Sequence, residues 1–296
     1  LDSLTLNKDL NEMKISGINN VIVEASSHGL KQKRLDFLKI KAGIFTNLSH
    51  DHLDYHKNMG DYLNSKLLLF KSLIKKNGSV ITDTDIKQYS IIKKIQKKRK
   101  LKILTIGSKS NIFKIINHKI FRNFQSLEVK YNKKIYKLKI NLYGSVQVKN
   151  LLMAILASRV CGLKIQNIFK KIGKIKNVEG RLELIGNLPN QSKIFLDYAH
   201  TPDALENAIL SLKEHFQKKI TIIFGCGGER DKRKRKLMGQ VAKKYCGLEE
   251  NDTLNEGTYT NFAQLDQKLY LLHCHLMYLK YGLLRMRPFR SLDKIY

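Results

Sequence analysis

The sequence predicts an α/β protein, in which helices cover a mostly parallel sheet and a second α/β unit follows. Three observations support this prediction. Short apolar runs alternate with longer amphipathic segments over most of the 296 residues. Polar residues follow the ends of several apolar runs, at the edge where open parallel sheets bind ligands. A break near residues 177–181 separates two such alternating regions, and the length of the chain also favours two packed units.

The individual elements follow from this alternation. Buried strands are predicted at residues 20–25, 42–47, 78–82, 101–107, 193–198 and 220–225. Amphipathic helices are predicted at residues 65–76, 148–162 and 203–216. Residues 111–143 instead alternate polar and apolar side chains without the length of a helix, which predicts an antiparallel insertion or sheet edge.

The composition changes after residue 246. Residues 247–296 hold equal numbers of basic and acidic side chains, so the net charge of +30 resides in the first 246 residues. This leucine-rich segment contains no motif, although residues 269–284 have the composition of an amphipathic helix. The predicted division is therefore 1–178, 179–246 and a divergent tail, 247–296, which is an insertion, a divergent end or a product of a frame change.

Composition also narrows the classes of function. No apolar stretch approaches the roughly 20 residues of a membrane-spanning helix, and the N-terminus lacks a signal-peptide pattern. The four cysteines are far apart, which indicates neither a disulfide framework nor a zinc site and favours a reducing cytoplasm. The positive charge is typical of nucleic-acid binding. However, the densest basic run, residues 93–102, lacks interleaved aromatics for base stacking, so no nucleic acid or membrane partner is expected.

A histidine-rich string follows the second apolar run. His50, His52, Asp54 and His56 fall at every second position, which would place them on one face of an extended chain. In a helix, His52 and His56 would share a face, so either geometry could hold a metal, and a polar surface loop is the alternative. Glu24 closes the first apolar run, where an unpartnered carboxylate would cost desolvation energy. Its carboxylate oxygens suit magnesium better than the His52 nitrogen does, and a site that mixes the two is atypical.

Further candidates are a single lysine, a glycine cluster and an arginine. Lys66 lies in a predicted helix after the histidine string, and by itself it is typical of a surface lysine. Gly225, Gly227 and Gly228 precede a predicted helix, an arrangement that exposes backbone N–H groups to an anion, although tight turns also need glycine. Arg230 follows them and could bind a carboxylate through two parallel hydrogen bonds.

Six strings in order resemble the Mur ligase family: EASSHGLKQKR, TNLSHDHLDYH, YLNSKLLLF, GRLELI, DYAHTPDALE and FGCGGERDKRKRKLMG. The resemblance covers residues 1–246. It implies an incomplete ATPase domain followed by an incomplete Rossmann-like domain, in a cytoplasmic, monomeric enzyme of peptidoglycan synthesis. The implied reaction uses ATP and Mg²⁺ to add meso-diaminopimelate to UDP-N-acetylmuramoyl-L-alanyl-D-glutamate through an acyl phosphate. L-lysine as the added residue remains open.

The resemblance also implies roles for single residues. Glu24 and His52 would bind magnesium, and Lys66 would react with carbon dioxide to form a carbamate that helps to hold a second magnesium ion. Arg230 would bind the carboxylate of the incoming amino acid and completes the implied catalytic set. The other implied contacts are to the UDP-sugar peptide for Ser26, Gln32 and Arg34, and to the nucleotide for Gln147, Asn150, Arg181 and Asp197. Family members often have Asn where Gln147 stands.

Two departures from the family pattern matter. The sequence contains neither a GxxxxGK[ST] phosphate loop nor the DNPR-type string that would recognise diaminopimelate. These departures predict a fragment that is inactive as a ligase by itself. Two other classes remain open: a metal-dependent hydrolase built on the histidine string, which predicts bound zinc, and a basic nucleic-acid binder, which predicts strongly salt-dependent binding.

Overall fold

The computed structural model describes residues 2–188, 192–224, 232–246 and 269–273. The chain divides into two compact units between Lys176 and Asn177. Each unit contains its own sheet, in agreement with the predicted α/β class. Within the described residues, no helix has both the length and the apolar composition needed to span a membrane.

The first unit contains a six-stranded sheet whose spatial order follows the sequence. Its strands are β1 (Ile40–Phe45), β2 (Ile74–Asp83), β3 (Lys102–Gly107), β4 (Phe113–Ile120), β5 (Gln125–Tyr131) and β6 (Lys134–Ile140). Strands β1 to β4 pair in parallel, whereas β4, β5 and β6 pair antiparallel. Both the parallel sheet and the antiparallel insertion are therefore confirmed, and the two parts form one continuous sheet.

Six α-helices accompany this sheet among the described residues. They are α1 (Ser3–Ile15), α2 (Ser27–Lys31), α3 (Met59–Leu68), α4 (Tyr89–Lys98), α5 (Ser145–Val160) and α6 (Ile165–Lys171). A π-helical turn, Leu69–Leu73, continues α3, and a 3₁₀ turn, Ile172–Lys174, continues α6. The helix predicted at residues 65–76 thus begins earlier and ends at Leu73, because β2 begins at the buried Ile74.

Two hydrophobic cores flank the sheet of the first unit. Successive residues of a strand point to opposite faces, and β2 accordingly sends Val80 into one core and Ile81 into the other. The core around Ile81 includes α5, for example Leu152, and the core around Val80 includes Phe70 and Ile92. Helices therefore cover both faces, as expected for a largely parallel sheet.

The strand predicted at residues 20–25 is wrong. Residues 18–26 form no helix or strand, and β1 pairs with β2 alone. The side chains of Val21, Ile22 and Val23 are 42%, 91% and 36% exposed. An apolar run becomes a strand only when a neighbouring strand satisfies its backbone hydrogen bonds, and none of the described residues does so here.

The second unit contains a four-stranded sheet in the order β7-β8-β10-β9. Its elements are β7 (Glu183–Asn187), β8 (Lys193–Asp197), α7 (Pro202–Phe216), β9 (Ile220–Ile223), α8 (Lys232–Cys246) and β10 (Leu269–His273). Strand β10 pairs in parallel with β8 and β9, whereas β7 is antiparallel to β8. At the start of α7, the Thr201 hydroxyl accepts a hydrogen bond from the Ala204 amide at 3.2 Å.

The tail contributes to this second sheet. Residues 269–273, which were predicted to begin an amphipathic helix, form the strand β10. The run Leu-Tyr-Leu-Leu satisfies helical and extended patterns alike, so its position between two parallel strands decides the outcome. The remainder of the predicted helix, residues 274–284, lies outside the described residues.

Candidate active site

Lys66 lies on α3 in a largely apolar environment. Its Nζ atom donates a hydrogen bond to the Asn47 carbonyl oxygen at 3.0 Å. The same atom lies 5.1 Å from the ring centroid of Tyr62 and 5.6 Å from that of Phe45. Tyr62 precedes Lys66 by one helical turn, so α3 itself places the ring beside the amine.

The electrostatic environment of Lys66 distinguishes it from a surface lysine. Burial lowers the pKa of the Lys66 amine from its usual 10.5, while the nearby carboxylates of Asp51 and Glu24 act in the opposite direction. A lowered pKa increases the fraction of neutral amine, which is the nucleophilic form. The alternative of an ordinary surface lysine is therefore disfavoured.

His52 lies in the histidine loop, which we define as residues 46–58, between β1 and α3. Its backbone has a φ of +54°, a left-handed conformation that is uncommon for residues other than glycine. The Asp51 carboxylate accepts a hydrogen bond from the His52 amide at 2.8 Å and lies 3.5 Å from His52 Nε2. The imidazole also meets the Tyr62 ring edge to face, with centroids 5.8 Å apart.

Glu24, Asp51, His52, Tyr62 and Lys66 thus form one group, which we call the Lys66 cluster. Tyr62 contacts both Lys66 and His52, and Glu24 acts electrostatically on Lys66. Glu24 is solvent-exposed and lies in irregular chain, so a shared metal site of Glu24, His52 and Lys66 stays a prediction.

The two carboxylates of the Lys66 cluster fit a hard cation in kind, whereas a histidine nitrogen is an atypical ligand for one. Glu24 and Asp51 offer oxygen atoms and His52 a nitrogen atom, whereas the Lys66 ammonium would repel a cation. Among the described residues, no three His, Cys, Asp or Glu side chains are arranged to hold a metal ion. A carbamate on Lys66 would replace the repelling charge with two further oxygen ligands, and the histidine string offers no ready-made zinc site for a hydrolase.

The histidine string folds into a turn in which the His52 carbonyl oxygen accepts a hydrogen bond from the His56 amide at 2.9 Å, and both imidazoles contact Tyr62. The string forms turns rather than a strand or helix; His50 and Asp54 are exposed, whereas His56 is buried. The His56 Nε2 atom lies 2.9 Å from the Ser27 hydroxyl, and its ring stacks on Tyr62. Burial lowers the pKa of His56, so this imidazole belongs to the packing between α2 and α3.

The three residues implied to contact the UDP-sugar peptide lie around α2. The Ser26 hydroxyl caps this helix by accepting a hydrogen bond from the Gly29 amide at 3.1 Å. Gln32 ends the helix, and its Nε2 atom donates to the Tyr55 hydroxyl at 3.2 Å, which links it to the histidine loop. Arg34 follows in a turn and is partly buried.

The residues implied for the adenine side lie at the start of α5. Gln147 and Asn150 are three positions apart, so they project from neighbouring positions on one side of the helix. Between them, the Lys149 ammonium pairs with the Asp83 carboxylate at 2.7 Å. The Asp83 side chain is only 1% exposed at the end of β2, so a buried charge fixes this helical turn.

In the second unit, Arg181 and Asp197 meet at the carboxyl end of β8. The Asp197 carboxylate accepts a hydrogen bond from the Leu182 amide at 2.8 Å. Burial raises the pKa of Asp197, which the Leu182 amide and the Arg181 guanidinium partly offset. The Arg181 guanidinium also lies 5.2 Å from the ring centroid of Tyr198. The predicted Gly225, Gly227, Gly228 and Arg230 lie outside the described residues.

Two family models match this chain. The Mur ligase middle domain matches residues 1–158, and the Mur ligase glutamate ligase domain matches residues 180–252. This chain belongs to the Mur ligase family. The first of these matches contains the whole Lys66 cluster and the start of α5, and the second contains Arg181 and Asp197.

A curated relative and two solved structures resemble this Mur ligase chain. The UDP-N-acetylmuramoyl-L-alanyl-D-glutamate–2,6-diaminopimelate ligase of Rickettsia montanensis is 38% identical over 246 residues, covering 82% of this chain and 50% of the relative. A solved 2,6-diaminopimelate ligase of that name has a TM-score of 0.67 and 25% identity, over 92% of this chain and 62% of its own. The chain thus spans about half the length of its curated relatives.

A more distant structure supports the fold alone. The MurF ligase of Thermotoga maritima, solved in complex with ADP, has a TM-score of 0.61 and 15% identity. It covers 79% of this Mur ligase chain and 58% of its own. These Mur ligase structures therefore share the α/β fold of this chain, which confirms the predicted fold class.

The sequence prediction missed two members of the Lys66 cluster. Asp51 lies inside the histidine string but between the alternate positions, 50, 52, 54 and 56, on which the prediction rested. Tyr62 precedes Lys66 by four residues, a spacing that places two side chains together on a helix. That spacing predicts, from the sequence of this Mur ligase chain alone, that Tyr62 lies beside Lys66.

Proposed function

We propose that this chain carries the ATP- and magnesium-dependent part of an amide ligase that acts in cytoplasmic peptidoglycan synthesis. The proposed reaction adds meso-diaminopimelate to UDP-N-acetylmuramoyl-L-alanyl-D-glutamate, the two substrates after which the curated relatives are named. L-lysine is the second candidate for the added residue. The proposal is supported by the position of Lys66 against Tyr62, which also contacts His52, and by the carboxylates of Asp51 and Glu24, which act electrostatically on its amine.

Lys66 has the properties that carbamate formation requires. In the proposed modification, the neutral amine attacks the carbon of carbon dioxide, an N–C bond forms, and the nitrogen loses a proton. The product is an anion at a position where a cation stood. Burial favours the reacting form of the amine, and the Asn47 carbonyl, which accepts its hydrogen bond at 3.0 Å, orients it.

Glu24, His52 and the Lys66 carbamate would hold magnesium in this proposal. When bound, magnesium would offset the negative charge that accumulates where a carboxylate approaches the ATP phosphates. Asp51 would orient His52, since its carboxylate contacts both the backbone amide and the imidazole of that residue. Tyr62 would exclude water from the opposite side of the amine.

The other site residues bind and orient the substrates in this proposal. Gln147 and Asn150 would contact the adenine and Arg181 and Asp197 the rest of the nucleotide, while Ser26, Gln32 and Arg34 would hold the UDP-sugar peptide. Arg230 would bind the carboxylate of the incoming amino acid, so that its amine attacks from a fixed direction.

The proposed chemistry has two balanced steps. The D-glutamyl carboxylate oxygen attacks the γ-phosphorus of ATP, and ADP leaves, which yields an acyl phosphate. The amine of diaminopimelate then attacks the acyl carbon, loses a proton, and displaces phosphate to form the amide. Positioning and charge stabilisation dominate such phosphoryl transfers.

Carbamate formation provides the sharpest test. The purified chain is loaded with ¹³C-labelled bicarbonate and observed by ¹³C NMR, alone and with magnesium and ATP. We expect a carbamate signal that strengthens with magnesium and ATP, is absent in Lys66→Met, and is retained in Lys98→Met, an exposed lysine on α4. A signal that persists in Lys66→Met would contradict the assignment of this residue.

Nucleotide binding tests the rest of the proposal. Fluorescent ATP should bind in the presence of magnesium, and Lys66→Met should weaken the binding while Lys98→Met leaves it unchanged. Stoichiometric zinc binding through His52 would instead favour the hydrolase, and binding to random DNA with a steep salt dependence would favour the nucleic-acid binder. A preference for the diaminopimelate tripeptide product over the lysine product would separate the two candidate residues.

A further inference from the structure

We propose that Gln125 is a positioning residue for the nucleotide, acting through the first turn of α5. This inference rests on the proposed function, because it concerns the orientation of Gln147 and Asn150 toward an adenine base. Neither the family resemblance nor the sequence patterns assigned a role to Gln125.

Gln125 begins β5 and is completely buried. Its Nε2 atom donates two hydrogen bonds, to the Leu142 carbonyl oxygen at 2.7 Å and to the Gly144 carbonyl oxygen at 3.1 Å. Its Oε1 atom lies 2.7 Å from His118 Nε2. Both amide hydrogens and the amide oxygen of Gln125 therefore have partners.

This network fixes the orientation of the Gln125 side chain. An amide flipped by 180° would aim its oxygen at two carbonyl oxygens, which are acceptors as well. The network therefore assigns the Nε2 proton to His118, which donates it to Gln125 Oε1. A buried amide with every partner satisfied has a single favourable position.

The hydrogen bonds of Gln125 lead directly to the residues implied for nucleotide binding. The Gly144 carbonyl oxygen that accepts from Gln125 also accepts from the Gln147 backbone amide at 3.2 Å. Gly144 precedes α5 with φ +84° and ψ 138°, and no side chain caps the helix at this position. Gln125 thus controls the carbonyl that begins the first turn of α5.

Lys149 secures the same turn from another strand. Its pair with Asp83 ties α5 to the end of β2, whereas Gln125 ties the preceding residues, 142–144, to β5. With the turn held at two points, Gln147 and Asn150 keep a constant spacing and direction.

A purely structural role explains this arrangement less well. A Leu or Met side chain would fill a similar volume in the core without the cost of burying an amide. Moreover, both hydrogen bonds that Gln125 donates go to carbonyl oxygens of the segment before α5, those of Leu142 and Gly144, rather than to groups of its own sheet. The buried amide therefore serves the geometry of the helix start.

The test compares binding of fluorescent ATP and fluorescent GTP to the wild-type chain and to Gln125→Met. We expect ATP binding to weaken about tenfold, as for a misplaced contact, with GTP binding unchanged. His118→Leu leaves both donor bonds intact and should weaken ATP binding less. The control is Ile92→Val, which trims the core on the other face of the sheet and lowers stability without reaching α5.

Hydrogen exchange provides a second measurement on the same proteins. In Gln125→Met, the amides of residues 145–148 should exchange faster than in the wild type, whereas Ile92→Val should leave them unchanged. Unaltered ATP affinity in Gln125→Met would overturn the inference, and so would equal weakening of ATP and GTP. A wild-type chain that binds neither nucleotide would instead count against the proposed function, and the positioning role would fall with it.

Discussion

The Lys66 cluster and the start of α5 lie in the same unit but are built in opposite ways. Lys66 and Tyr62 stand on α3, whereas the other members of the cluster stand on irregular chain. The start of α5 is helical and is secured by the buried side chains of Asp83 and Gln125. The difference indicates that the proposed nucleotide side is preorganised, while the proposed metal side would be completed by its ligands.

The charges of the two regions support the same contrast. At α5, the ammonium of Lys149 meets the carboxylate of Asp83 at 2.7 Å, so the pair is complete in the chain itself. At the Lys66 cluster, two carboxylates face a single amine whose protonated form burial disfavours. That region would gain most from the proposed carbamate and cation, and the following four predictions test the contrast.

Lys149→Met should have the largest effect on stability. The substitution leaves the Asp83 carboxylate, 1% exposed, without its cation. Removing one partner of a fully buried pair costs about 3–5 kcal/mol, and we expect about 2 kcal/mol because the Lys149 side chain is 40% exposed. Urea unfolding monitored at α5 measures the loss. The double variant Asp83→Asn, Lys149→Met should recover most of it, and a single variant as stable as wild type would refute the preorganised helix start.

Gly144→Ala should have the next largest effect. Gly144 has a φ of +84°, where an L-residue is strained by about 1–2 kcal/mol. The expected result is a loss of that size in the free energy of unfolding, with faster exchange in the first turn of α5. Gly173→Ala is the matched control, because its added Cβ would meet the nearest atom, the Lys139 carbonyl oxygen, at 3.8 Å. An equal loss of unfolding free energy in both variants would show that Gly144 has no special role at the start of α5.

Magnesium and ATP should protect the two regions unequally. At a free ligand concentration about ten times the dissociation constant, binding stabilises the folded state by about 1.4 kcal/mol. This corresponds to about tenfold slower hydrogen exchange. We expect this change in the histidine loop, residues 46–58, and little change at residues 145–148. Hydrogen exchange with mass spectrometry measures both segments in one experiment. Equal protection at both places would contradict the contrast.

Lys66→Met should have the smallest effect on stability, below about 1 kcal/mol. The variant buries an apolar methionine side chain where the wild type must bury a cation. The pKa of Lys66 is lowered in the folded state, so between that value and 10.5 the unfolded chain binds more protons. The free energy of unfolding of wild type should therefore rise with pH through this window. Unfolding in EDTA and carbon-dioxide-free buffer, from pH 7 upward, should show a flatter profile for Lys66→Met. Identical profiles would show that Lys66 titrates normally.

The sequence predicted most elements but fewer of the contacts between them. Runs such as residues 78–82 and 101–107 become strands because their apolar side chains fill the two cores. The run at 20–25 fails because a strand also needs a hydrogen-bonding neighbour, which the apolar pattern does not report. The family strings pointed to Glu24, His52 and Lys66 but not to Asp51 and Tyr62. The Asp83–Lys149 pair and the Gln125 network depend on segments that meet only in the folded chain.

Strand β10 has a consequence for how the second unit forms. It lies between β8 and β9 in the sheet, yet it follows both of them, and α8 as well, in the chain. Pairings between distant segments are slow to form, because the loop must close before the contact is gained. During synthesis, β8 and β9 therefore lack their common neighbour until residue 273 has left the ribosome. Until then, the unpaired backbone N–H and C=O groups along their edges are available for pairing with other chains.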